Sequence, residues 1–364
     1  MDSLIKETIK NNGPITFADF MHMALYYPTY GYYNSCLKKF GKKGDFVTAP
    51  ELTYLFGYTI ANQCKDILHE LPNNIIFEFG AGTGKLCIDI LTYLEKINAL
   101  PEEYHILEVS NYLKDTQQKL INAKIPHLAN RVKWLTTWPM QKFNGIVIAN
   151  EVLDAMPVHL FTQNKNNLSE IYIDLDKDNN LIQKPYTCNN NRLKEYVETY
   201  LPKNIYPYTS EANLFINDWI KQCHTMLNKG AVFIIDYGFP QHEYYHPDRN
   251  QGTLMCHYQN TSHLNPLINI GEQDITAHVN FSHIANAAFD AGFNITGYTN
   301  QASFLLNNEI LNIIMDDAST NTRQALKTLL QPSEMGELFK VIALTKDLEI
   351  DLQGFKINDK RISL

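Results

Sequence analysis

The chain has no closely spaced cysteine pair. Its six cysteines (Cys36, Cys64, Cys87, Cys188, Cys223 and Cys256) stand singly, and no C-x-x-C occurs. That spacing argues against a zinc knuckle or a redox pair and reads as reduced thiols. His242, His246, His257 and His263 lack regular ligand spacing, so no metal site is expected. No apolar run reaches membrane-spanning length. Positive charge is also in short supply: 31 Lys and Arg stand against 39 Asp and Glu, a net charge of −8. Nucleic acid is therefore a disfavoured substrate, and the one basic cluster, Lys38 to Lys43, reads as a solvated loop. The opening residues Met1–Glu7 have neither an apolar core nor an Arg/Ser-rich stretch, so a cytoplasmic location is expected. Neither an internal repeat nor a low-complexity tract is present.

Apolar residues make up 45% of the 364 and aromatics 12%, enough to fill the core of one large domain or two ordinary ones. Ile75-Ile76-Phe77-Glu78-Phe79 is a short apolar strand. It opens into Gly80-Ala81-Gly82-Thr83-Gly84 and then an apolar helical face from Leu86. A strand, a glycine turn and a helix N-terminus cradle nucleotide-like ligands, because glycine lets the ligand approach the backbone. The spacing is G-x-G-x-G, not the G-x-G-x-x-G of a dinucleotide site. The acid Glu78 would repel a pyrophosphate but attract a cationic amine. Together these favour S-adenosylmethionine over NAD. Glu108 ends the next strand, 24 residues beyond Gly84 (108 − 84), where an acid can accept hydrogen bonds from both ribose hydroxyls.

Further along, Val132–Leu135 reads as a short third strand, Asn144–Ala149 and Ala231–Asp236 read as buried strands, and helices are expected over 86–99 and 111–123. The β-α alternation gives an α/β, doubly wound sheet. Residues 1–70 read as a mainly helical N-terminal region, with Thr16 as an N-cap. Residues 71–364 form the main domain, with insertions at about 160–225 and 240–280. Within these, a hairpin turns at about Asp176–Asn180, helices cover 192–200 and 211–227, and 240–280 is a polar loop. A helix over 281–291 and strands at 295–298 and 341–345 close the chain. The tyrosines between Tyr26 and Tyr33 are expected to pack the N-terminal region. Asn150-Glu151-Val152-Leu153-Asp154 leaves the fourth strand. Two acids three apart there suit a guanidinium, which takes bidentate carboxylate partners. Asp274 and His278 are alternative proton acceptors or binding groups.

Seven segments together resemble the MidA-like family of class I S-adenosylmethionine-dependent methyltransferases. They are Gly44–Glu51, the glycine loop, Leu107–Ser110, Ala149–Val158, Ile235–Gly238, Gly252–Leu254 and Asp274–Val279. The resemblance implies a Rossmann-like, seven-stranded sheet with its last strand antiparallel. It also implies arginine of a protein as acceptor, a respiratory complex I subunit being one candidate. The expected cofactor residues are Glu78, Gly80, Gly82, Gly84, Glu108 and Asn150. The expected catalytic residues are Glu151, Asp154, His278 and Asp45. A non-catalytic assembly factor on the same fold and an NAD-dependent oxidoreductase remain alternatives, and both monomer and homodimer stay open.

Overall fold

Residues 1–35, 48–314 and 319–364 of the computed structural model are described below. They form two compact units. One contains Val47–Val152, Asn217–Gly238 and Ile284–Leu364; the other contains Met1–Phe46, Leu153–Ile216 and Phe239–His283.

The first unit is built on seven strands: β1 Asn74–Phe79, β2 Glu103–Leu107, β3 Val132–Leu135, β4 Phe143–Asn150, β5 Leu227–Phe239, β6 Asn294–Asn300 and β7 Phe339–Lys346. Their order is β3-β2-β1-β4-β5-β7-β6. The first five in that order are parallel, and β7 runs antiparallel to both β5 and β6. Ile146, Val147, Ile148 and Ala149 in β4 are all fully buried, as expected of a parallel strand covered on both faces. The covering helices include α1 Tyr54–Glu70, α2 Lys85–Lys96 and α3 Asn111–Lys124. Ser110 caps α3 by accepting a hydrogen bond from the Leu113 N–H at 3.3 Å, a contact worth about 1 kcal/mol. Strand order reverses between β1 and β4, so the crevice outside their carboxyl ends is where such a sheet takes its ligand.

The other unit is mainly antiparallel. Strand Leu168–Leu175 pairs with Ile15–Thr16, His159–Gln163 and Leu181–Thr187, and His159–Gln163 also pairs with Tyr208–Ala212. The hairpin turn lies where the sequence places it, and Asp176 Oδ1 accepts from the N–H groups of Asp178 and Asn180, both at 2.8 Å. Thr16 caps helix Phe17–Tyr26 through the Asp19 N–H at 3.0 Å. Tyr26 and Tyr33 stack at 5.4 Å within this unit.

Two expectations are corrected. Residues 240–280 are not a plain polar loop: Met255–Tyr258, Thr261–His263 and Asp274–Thr276 form a three-stranded sheet. The helix expected over 211–227 begins at Ile216, because Tyr208–Ala212 is extended and hydrogen-bonded to His159–Gln163. In both places strand pairing overrides local polarity. Among the described residues, no helix is long and apolar enough to cross a membrane, and no cluster of His, Cys, Asp and Glu is arranged to hold a metal.

Candidate active site

Gly80, Gly82 and Gly84 have φ of +56°, +55° and +86°. This left-handed backbone costs a residue with a Cβ roughly 1–2 kcal/mol. Gly84 is the N-cap of α2, and its N–H bonds back to the Ala81 carbonyl at 2.7 Å. The Gly80 N–H reaches the Leu107 carbonyl of β2 at 3.1 Å. A Cβ on Gly80 would lie 3.8 Å from Val152 Cγ2, so the chain leaving β4 passes beside the loop. Thr83 Oγ1 donates to Glu51 Oε1 at 2.5 Å, which ties the described end of the Gly44–Glu51 segment to this loop.

Glu78 is 2% exposed and accepts a 2.7 Å hydrogen bond from the Tyr104 hydroxyl. Burial pushes its carboxyl up to about 8, and the negative charge of Glu108 adds to this, while the Tyr104 bond opposes it. An arriving ammonium would favour the ionised form.

Glu108 is also buried, at 5% exposure. Its Oε1 accepts from the Ser110 N–H and its Oε2 from Gln117 Nε2, both at 2.9 Å. Gln117 was not foreseen from the sequence. It is fully buried on α3, where its Nε2 also reaches the Gly82 carbonyl at 3.0 Å. Its Oε1 accepts from Trp134 Nε1 at 2.9 Å. The available signal was spacing: Leu113, Gln117 and Ile121 recur every four residues and form the buried stripe of this helix.

At the end of β4, Asn150 Nδ2 lies 3.3 Å from Glu151 Oε1. Asn150 Oδ1 is buried with no hydrogen-bond partner among the described residues. Glu151 has φ +52°, and its N–H bonds to the Ile235 carbonyl of β5 at 2.8 Å. A non-glycine residue in that region is strained by roughly 1–3 kcal/mol, and such strain concentrates at functional sites.

Of the other expected residues, Asp154 and His278 lie in the unit containing residues 153–216. Asp154 is 6% exposed, and its carbonyl accepts from the Ala277 N–H at 3.0 Å. Asp154 therefore lies beside the Asp274–Val279 segment. Asp274 Oδ1 accepts from the Tyr33 hydroxyl at 3.0 Å. Burial, reinforced by Asp274 and Asp154 among others, raises the Tyr33 phenol well above its ordinary value. The His278 N–H donates to Thr253 Oγ1 at 3.0 Å, and the His278 ring lies against Phe239 at 5.3 Å. Asp45 lies outside the described residues.

The Gly252-Thr253-Leu254 segment has a structural reason. Glu211 Oε1 accepts from the Thr253 and Leu254 N–H groups, each at 2.7 Å. A Cβ on Gly252 would stand 2.3 Å from that oxygen.

Comparison with known proteins agrees with this geometry. A family described as "putative S-adenosyl-L-methionine-dependent methyltransferase" matches residues 59–299. The chain belongs to this family. It is an S-adenosylmethionine-dependent methyltransferase of class I fold, with MidA-like relatives. A Burkholderia thailandensis protein crystallised with S-adenosyl-homocysteine is 38% identical, with a TM-score of 0.94 over 100% of this chain and 95% of that one. The mitochondrial protein arginine methyltransferase NDUFAF7 of Bos taurus is 28% identical over 97% of this chain and 85% of its own length. Its human counterpart is 27% identical over 92% and 81%. Family membership sets aside the NAD-dependent oxidoreductase. The cofactor is S-adenosylmethionine. The residues present suit it: the glycine loop leaves the backbone open, and the buried, protein-anchored carboxylate of Glu108 would receive the ribose hydroxyls. When bound, it supplies an electrophilic methyl carbon on a sulfonium.

The cytoplasmic expectation is corrected, because these relatives are named as mitochondrial. Singly spaced reduced thiols fit a mitochondrial interior as well as a cytoplasm, so they did not discriminate between the two.

Proposed function

We propose that this methyltransferase modifies arginine side chains of a protein. The observation that carries this reading is Glu151. It is an acid in strained backbone at the carboxyl end of β4, and the adjoining Val152 lies against the glycine loop. A carboxylate on the segment that passes beside the cofactor loop suits a cationic guanidinium acceptor, which it can orient through charge-assisted hydrogen bonds. On the cofactor side, Asn150 Oδ1 is a buried acceptor with no hydrogen-bond partner among the described residues. Aligning the acceptor nitrogen and surrounding it with negative charge is most of what methyl transfer to a sulfonium-bound methyl asks of a protein. As the N–C bond forms, the sulfonium S–CH3 bond would break and release S-adenosylhomocysteine, and the guanidinium would lose one proton, for which a carboxylate is a competent acceptor. The naming of the NDUFAF7 relatives as protein arginine methyltransferases supports the same substrate class. The proposal takes Glu151, Asp154, His278 and Asp45 as its catalytic residues and Glu78, Gly80, Gly82, Gly84, Glu108 and Asn150 as its cofactor residues. A respiratory complex I subunit is the candidate acceptor.

Glu151→Gln tests the acceptor role. S-adenosylhomocysteine affinity, measured by calorimetry, should stay within about two-fold, while arginine methylation falls roughly 100-fold, the scale of a lost charge-assisted contact. Unchanged methylation by Glu151→Gln would remove Glu151 from the reaction.

A further inference from the structure

Gln117 connects three parts of the cofactor side. It projects from α3, and its amide meets the glycine loop at the Gly82 carbonyl, the end of β2 at Glu108, and β3 at Trp134. The orientation of the amide follows from chemistry. An indole N–H can only donate, so the Gln117 oxygen must face Trp134 and its NH2 group must face Gly82 and Glu108. Both amide hydrogens are then used, and the side chain is fully buried with no exposure to water. Helix and loop also approach too closely for slack: a Cβ on Gly84 would lie 3.2–3.3 Å from Gln117 Cγ, Cα and Cβ.

We infer that Gln117 is a positioning residue for the cofactor: its amide fixes Glu108 relative to the glycine loop, so that the carboxylate is set to receive the ribose hydroxyls. The Ser110 N–H holds one oxygen of Glu108 and Gln117 holds the other. A carboxylate oxygen can accept more than one hydrogen bond, so these contacts are compatible with a ribose O–H as well. With Gln117 in place the carboxylate enters binding already oriented, which lowers the ordering cost of the complex. An apolar side chain of similar size would leave the Glu108 oxygen, the Gly82 carbonyl and the Trp134 N–H without this partner. The inference rests on Glu108 as the ribose acceptor and is independent of which acceptor is methylated.

The test measures binding of two probes to the full chain by calorimetry: S-adenosylhomocysteine and its 2′,3′-dideoxy counterpart, which lacks both ribose hydroxyls. Gln117→Leu should weaken the first by about ten-fold or more and the second by less than about two-fold, with the far-ultraviolet circular dichroism of the parent retained. Gln117→Glu supplies a second readout. Two facing carboxyls must share a proton to coexist. Affinity of Gln117→Glu for S-adenosylhomocysteine should therefore fall as pH rises relative to the parent, by several-fold between pH 6 and 8.5. Equal weakening of both probes by Gln117→Leu would make Gln117 a support of the loop or the fold alone and would overturn the inference. So would parental affinity with a parental pH profile in both variants. Glu108→Ala is measured with the same pair, and if it still prefers the ribose hydroxyls as the parent does, the premise and the inference fall together. No acceptor protein enters these measurements, so a failed arginine assay leaves them interpretable.

Discussion

The Tyr104 hydroxyl of β2 donates a 2.7 Å hydrogen bond to Glu78 Oε2 on the neighbouring strand β1. Both residues are almost wholly buried. The bond holds the carboxyl just before the glycine loop, and burial still raises its pKa from 4.5 to about 8. Between those two values the folded chain holds a proton that the unfolded chain has released. The stability contributed by the protonated carboxyl is complete below about pH 4.5 and is lost as pH rises through about 8.

Glu78→Gln removes this titration and leaves the Tyr104 hydroxyl an acceptor. Its melting temperature should fall less steeply than the parent's between pH 5 and 8.5, and above pH 8 it should melt roughly 2 °C or more higher. Some slope should persist, because burial also raises Asp89, to about 6, and Glu211. Parallel curves for parent and Glu78→Gln would contradict the assignment. Thermal melts by circular dichroism across that pH range make the comparison.

The glycine loop gives a prediction that separates binding from folding. Gly82→Val places a branched side chain at φ +55°, where L residues are disfavoured. Calorimetry should find no S-adenosylhomocysteine binding to Gly82→Val at concentrations that saturate the parent. Gly84→Ala also carries a left-handed penalty and brings its methyl within 3.2–3.3 Å of Gln117. It should lose about 1–3 kcal/mol of stability as well as affinity. Normal cofactor affinity in Gly82→Val would misplace the site.

Gly252→Ala tests the other unit. The substitution meets φ +79° and Glu211 Oε1 at 2.3 Å, so either the carboxylate or the Thr253–Leu254 amides must move. A loss of about 2 kcal/mol or more is expected in denaturant unfolding. Should unfolding be unchanged, the Glu211 cradle is not a structural anchor.

Strands β1, β4 and β5 were legible because parallel strands buried on both faces leave continuous apolar runs, such as Ile146 to Ala149. The Asp176–Asn180 turn was legible from its short polar side chains, which bond to nearby backbone. The sheet of Met255–Tyr258, Thr261–His263 and Asp274–Thr276 was not, because its members are three or four residues long and mostly polar. Too few residues alternate there to reveal a period of two. The helices Gln301–Asn307, Ile310–Ile313 and Thr320–Leu330 were also missed, the first two for shortness. At the site, Glu78 and Glu108 were marked by their places at strand ends. Gln117 was not: it is buried by hydrogen bonding, so a polar letter in a polar helix hid a core position. The strain at Glu151 was equally invisible, since backbone conformation at a non-glycine residue leaves no compositional trace.

The central claim is methylation of protein arginine, and the most direct measurement identifies the labelled amino acid. The purified protein is incubated with methyl-labelled S-adenosylmethionine and a mitochondrial extract containing complex I subunits, and the labelled acceptor is hydrolysed to its amino acids. Label is expected in methylated arginine and is lost with Glu151→Gln, although that variant still binds S-adenosylhomocysteine. Label in another amino acid, or none while the parent binds cofactor normally, would contradict it.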